Sequence, residues 1–222
     1  MSNRAFASVW CSGYSAETMV RLFGDVLATV PFAEPRRGIT SLVIRAVDPA
    51  EPPLAEHDLR SGPLEPDGVI ELVGQQAGSD TAIEARARWD LWVYDVAASK
   101  LEQQAVALDL CCYGTQYDGG ICADEGHFRA DVGFEHLFIG HAGLLGDGLA
   151  VAPEHPTEME FLRAMAAPAR LAEYREKTRE NIRKLRDWLR AVGHALPVER
   201  ITLWSEGEED FASQLDKVLP EG

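Results

Sequence analysis

From Ile83 to Tyr94 the chain alternates strictly, with Ile83, Ala85, Ala87, Trp89, Leu91 and Val93 interleaved by Glu84, Arg86, Arg88, Asp90, Trp92 and Tyr94. Successive strand residues point to opposite faces, so a run of this length demands a half-buried β-strand. After the short segment VAASK a second alternation places Val106, Leu108, Leu110 and Cys112 on one face and Gln103, Ala105, Ala107, Asp109, Cys111 and Tyr113 on the other. The two runs predict an antiparallel hairpin. Pairing residues whose numbers sum to 195 sets Trp89 opposite Val106, Ala87 opposite Leu108, Ala85 opposite Leu110 and Ile83 opposite Cys112, with Arg86 opposite Asp109 on the other face. A slip of one residue would set apolar positions against polar ones, whereas a slip of two keeps the faces and changes only the turn.

RAFASVWC, residues 4–11, is a strand stopped by Ser12-Gly13, with Ser15 expected to cap a helix that carries Met19, Leu22, Phe23, Val26, Leu27 and Val30 on one face. GITSLVIRAVD, 38–48, is a second strand, so the chain enters through a β-α-β unit. Residues 49–68 hold five prolines and two glycines and read as a surface connection without a regular ladder. VIELVGQQA, 69–77, reads as a short helix and HFRADVGF, 127–134, as another strand. Thr157 with Glu160 has capping-box spacing, Pro168 suits a first helical turn, and Leu171, Tyr174, Ile182, Leu185, Trp188, Leu189 and Val192 stripe a long helix closed by Gly193. ERITLW is a final strand, and Ser205 with Glu208 repeats the capping-box spacing before a last helix. The expected fold class is α+β: a twisted, mainly antiparallel sheet with a β-α-β entry unit, in the manner of a ferredoxin-like arrangement, and a long C-terminal helical segment packed on one face. Residues 1–222 are expected to form a single domain, with a sub-division near 141–156 separating the sheet from the helical part.

With 222 residues the chain can bury a substantial core without disulfides or metals. Its net charge of −15 opposes approach to nucleic acid and to anionic membranes, and it has no long uncharged apolar run. The expected location is cytoplasmic, with Cys11, Cys111, Cys112 and Cys122 reduced.

The stretch CCYGTQYDGGICADEGH, 111–127, gathers three cysteines, three acids and a histidine. Cys112, Cys122 and His127 lack the paired spacing of a zinc site, the suitably spaced His136 and His141 do not follow a second cysteine pair, and Gly120 and Cys122 occupy positions where a calcium loop needs oxygen ligands. No metal and no cofactor is expected. CSGYSAE, 11–17, resembles a phosphatase loop in outline, but Glu17 stands where the phosphate-clamping arginine is required. Neither G-x-S-x-G, nor a Walker lysine, nor G-x-G-x-x-G is present.

Two features remain. Arg175, Arg179, Arg183, Arg186 and Arg190 recur at helical spacing within 170–190, where the local charge is +4 against −19 for the remainder. A solvated face laced by Glu173–Lys177 and Glu180–Lys184 pairs accounts for it, and docking on an acidic partner, including another copy of the chain, is the alternative. Trp92 and Tyr94 share a hairpin face with Arg86, Asp109, Cys111 and Tyr113, and that face is either covered by helices or the most partner-like surface of the chain. The expected function is a non-catalytic protein-interaction or binding domain, with Arg86, Trp92, Tyr94, Asp109, Tyr113, Arg179 and Arg183 as candidate contacts and a protein partner or homo-oligomer as occupant. The alternative is an enzyme with a pocket under loop 114–126 using Asp118, Asp124, Glu125 or His127; the small-molecule ligand is left open.

Overall fold

The computed structural model describes residues 3–141, 144–145, 156–207 and 210–220. Among these residues seven strands form one sheet: β1 (Arg4–Cys11), β2 (Ser41–Ala46), β3 (Ala55–Asp58), β4 (Thr81–Asp95), β5 (Lys100–Tyr113), β6 (Phe128–Phe134) and β7 (Val198–Ser205). Their spatial order is β3-β2-β4-β5-β6-β1-β7, and every neighbouring pair is antiparallel. The helices are α1 (Met19–Ala28), α2 (Pro66–Val73), α3 (Cys122–Glu125), α4 (His136–Ile139), α5 (Pro156–Met165), α6 (Pro168–Ala195) and α7 (Phe211–Val218). The fold is α+β. The first six elements follow a β-α-β-β-α-β string, but β1 and β2 run in the same direction with β4, β5 and β6 standing between them.

The hairpin takes the register demanded by its pattern: Trp89 faces Val106, Ala87 faces Leu108, Ala85 faces Leu110, Ile83 faces Cys112 and Arg86 faces Asp109. The odd-numbered residues of β4 from Ile83 to Leu91 lie in the core with Ala5, Ala7, Val9 and Cys11 of β1, the apolar face of α1, and Ile182, Leu185, Trp188 and Val192 of α6. Gly24 lets α1 and α2 meet, because a Cβ there would lie 2.9 Å from the Ile70 side chain.

Local signals fail in identifiable places. Residues 49–68 contain β3, a four-residue edge strand paired to β2 from Ser41–Asp58 to Ile44–Ala55, where the prolines predicted no ladder. The prolines flank β3 and do not interrupt it. Thr18, not Ser15, precedes α1, and its hydroxyl donates to Gly13 O and accepts from Ser15 N. Helix α5 begins at Pro156, so Thr157 lies within its first turn. Helix α6 runs through Gly193 to Ala195. The cap of α7 is Asp210, which accepts from Ser213 N–H and Oγ–H, whereas Glu208 lies outside the described residues. Most of the expected sub-division at 141–156 also lies outside them.

Candidate interaction surface

The helical core occupies one face of the sheet, and on the other face the side chains form rows across the strands. One row reads Ser41, Arg86, Asp109, Asp131, Phe6, Trp204 from β2 to β7; the next reads Val43, Glu84, Cys111, Arg129, Ser8, Thr202. Arg86 donates through Nε and Nη2 to the two carboxylate oxygens of Asp109 at 2.6 and 2.9 Å, and both side chains reach solvent. Arg45 pairs with Glu84 and Arg4 with Asp131.

Towards β1 and β7 the face becomes aromatic. The Phe6 and Trp204 rings stack at 4.3 Å, Trp204 Nε1–H donates to Ser8 Oγ, and the Arg200 guanidinium lies 3.6 Å from the Trp10 ring centre. Arg129 lies against both Phe6 and Tyr113 at 5.7 and 5.6 Å and pairs with Glu125. Guanidinium stacking and ion pairing fix these side chains before any partner arrives, which lowers the ordering cost of association.

Loop 114–126 folds over one end of this face. Tyr117 stacks on Tyr113 and forms a small second core with Ala82 and Cys122. Tyr117 and Cys122 of the loop thus pack beneath it against the strand residues Ala82 and Tyr113. Asp118 and Asp124 are exposed, Glu125 is held by Arg129, and His127 stacks on Tyr14 at 4.0 Å while its Nδ1 accepts from Cys11 N–H. The four groups proposed for an enzyme pocket have separate surroundings. All four cysteines are free, and burial pushes the thiols of Cys11 and Cys111 up to about 11 and that of Cys112 up to about 12, away from the nucleophilic thiolate. Among the described residues no group of three or more His, Cys, Asp or Glu side chains could hold a metal ion, and no helix is long and apolar enough to cross a membrane.

The candidate contacts separate into three groups. Arg86 and Asp109 lie on the open part of the face, and Tyr113 is buried beneath the loop with its carbonyl accepting from Tyr14 O–H at 2.6 Å. Trp92 and Tyr94 are engaged within the chain. Trp92 Nε1–H donates to Glu180, Lys177 Nζ lies 4.0 Å from its ring centre, and Tyr94 packs edge-on against Phe161 and Tyr174. Arg179 donates to Val218 O and Arg186 to Leu219 O and Asp216, so the arginine stripe receives the C-terminal end of α7. Arg183 pairs with Glu176. Glu180 pairs with Lys177, and Lys184 donates to Asp90 O, in place of the expected Glu180–Lys184 pair.

The Trp10–Arg200 and Phe6–Trp204 stacks went unread in the sequence, although the alternation Arg4, Phe6, Ser8, Trp10 already places these residues on the face opposite Ala5, Ala7, Val9 and Cys11. Comparison with protein-family models, with curated proteins and with solved structures gives no match.

Proposed function

We propose that the protein is a non-catalytic interaction domain that engages a protein partner on the open face of its sheet, centred on Arg86, Asp109, Arg129, Trp10 and Trp204. The observation that supports this reading most directly is the ordered set of guanidinium–aromatic stacks beside solvent-exposed ion pairs on the face turned away from the helical core. Arginine and large aromatics dominate binding hot spots because they combine buried area, fixed planar geometry and polar tips. Carboxylates interleave with the arginines across the rows, which suits the mixed surface of a protein better than a uniform polyanion.

The test replaces Arg88, exposed beside the Arg86–Asp109 pair, with a photo-crosslinking aromatic amino acid in cells and identifies the adduct. The expected product is a covalent complex with one protein, whose affinity for purified Arg86→Ser/Arg88→Ser protein falls at least tenfold while the fold is kept. Adducts with nucleic acid, or a partner whose affinity is unchanged in that variant, would overturn the assignment.

A further inference from the structure

We propose that the outer edge of β7 is a self-association site at which a second copy of this chain adds its own β7, antiparallel, about a two-fold axis at Thr202. An edge strand presents unpaired N–H and C=O groups, and folds ordinarily blunt such edges by shortness, charge or cover. This fold does so elsewhere. Strand β3 is four residues long and carries Glu56, His57 and Asp58. Beyond the reach of β2, the edge of β4 is sheathed group by group: Ala33 N–H donates to Arg88 O, Lys184 to Asp90 O, and the Asn181 amide both accepts from Trp92 N–H and donates to Trp92 O. Strand β7 has eight residues, includes Val198, Ile201, Leu203 and Trp204, and has β1 as its single neighbour among the described residues.

The orientation of its free groups follows from its pairing. Glu206 N–H donates to Arg4 O, so from Arg200 to Glu206, beyond the register shift at Trp10–Cys11, the even-numbered residues turn their backbone groups to β1. The backbone groups of Ile201 and Leu203 then point outward. In a two-fold antiparallel pair, identical strands keep their faces when opposed residue numbers sum to an even value. Centring on Thr202 sets Ile201 opposite Leu203 of the second copy, with both as hydrogen-bonded pairs, and Arg200 opposite Trp204.

The central side chains then meet compatible ones. On the helical face, Ile201 and Leu203 line a groove of about 430 Å³ with Leu189, Ala212 and Leu215 and with the charged Arg186, Arg190 and Asp216, so an added strand would meet both apolar and charged side chains there. On the open face, Arg200 meets an indole and has Glu206 of the second copy as its diagonal neighbour, within reach of a long side chain. Centring on Ile201 instead would set Glu199 against Leu203, an acid opposite an apolar side chain. Self-association at Thr202 also joins two open faces into one continuous sheet surface, with both Trp10–Arg200 stacks near the axis.

Sedimentation and light scattering of the full chain test this directly. The expected result is a concentration-dependent monomer–dimer equilibrium at micromolar concentration, weakened at least tenfold by Ile201→Lys with an unchanged circular dichroism spectrum. Because Ile201→Lys could disturb the fold, Thr202→Cys supplies an independent readout. Thr202 faces its own copy in a non-hydrogen-bonded pair, where Cα atoms approach to about 4.5 Å, a separation a disulfide can span. This variant should give a reducible covalent dimer with a mild oxidant such as dissolved oxygen, whereas the wild type and Arg200→Cys should not. A wild-type chain that stays monomeric at all concentrations, or a dimer that neither responds to Ile201→Lys nor crosslinks through Thr202→Cys, would overturn the proposal. A different protein bound at this edge, with the wild type monomeric, would overturn the second copy as its occupant. These changes lie on β7, away from Arg86 and Arg88 on β4, so the outcome is separable from that of the face experiment.

Discussion

The free edge of β4 and the outer edge of β7 offer the same chemistry to opposite ends. At β4 the backbone groups of Trp92 are closed by Asn181, which is 2% exposed and also donates to Leu137 O at 2.9 Å. One amide side chain thus ties the hairpin, α4 and α6 together. At β7 no described side chain plays that part for Ile201 and Leu203. The difference shows that edge cover here is achieved by side chains from distant sequence, and that β4 was covered because it sits over the core.

The largest expected effect therefore comes from uncovering β4. Asn181→Leu removes three hydrogen bonds and leaves the buried Leu137 C=O and the part-buried N–H and C=O of Trp92 without this partner, a loss of about 3–5 kcal/mol given that each such group costs roughly 1–3 kcal/mol before relaxation. Urea unfolding measures it. Hydrogen exchange sharpens the comparison: in dilute protein the Trp92 amide should exchange slowly and the Ile201 and Leu203 amides fast, with Asn181→Leu erasing the contrast. Equal exchange in the wild type would break it.

A second effect belongs to the covered tip of the hairpin, where Tyr94 and Leu101 join Phe161, Met165 and Tyr174. His136 and His141 stack at 3.9 Å beside this cluster, and burial lowers their pKa values to about 3 and about 4, with the His141 charge adding to the shift at His136. The unfolded chain binds protons at these groups near pH 6.5 and the folded chain does not, so their contribution is present above that pH and is lost as pH falls towards 4. Between pH 7 and pH 5 each imidazole should cost about 2 kcal/mol. The double variant His136→Phe/His141→Phe should lose that part of the pH dependence, measured as the difference in unfolding free energy between the two pH values. An unchanged pH dependence would show that the pair protonates within the fold.

The hairpin and its register were legible because both strands are half buried, so a period of two encodes which face is inward and Arg86–Asp109 fixes the pairing on the other. Strand β3 was not, because four residues flanked by prolines carry no pattern of their own and take their conformation from β2. The spacing of the arginine stripe was readable, but its target was not. Val218 O and Leu219 O become acceptors only when α7 folds back on α6, where basic side chains meet the open carbonyl end of a helix. Trp92 and Tyr94 resembled a partner surface for the same reason: parity identifies a face, and the cover supplied by α5 and α6 is a long-range fact.

The smallest effect probes the open face itself. Arg86 and Asp109 form a bidentate pair across β4 and β5, with side-chain exposures of 55% and 29%. Two parallel N–H···O bonds favour it, whereas water and salt screen both charges and lower the gain to that of an ordinary cross-strand pair. A double-mutant cycle with Arg86→Ala and Asp109→Ala should give a coupling of about 0.2–1 kcal/mol that shrinks in high salt. That is several-fold below the loss at Asn181, as expected if β4 is held by its covered edge and leaves its arginines for contact. A coupling above about 2 kcal/mol, or one indifferent to salt, would mean that the pair is shielded as a buried bridge is and that this part of the face is not open.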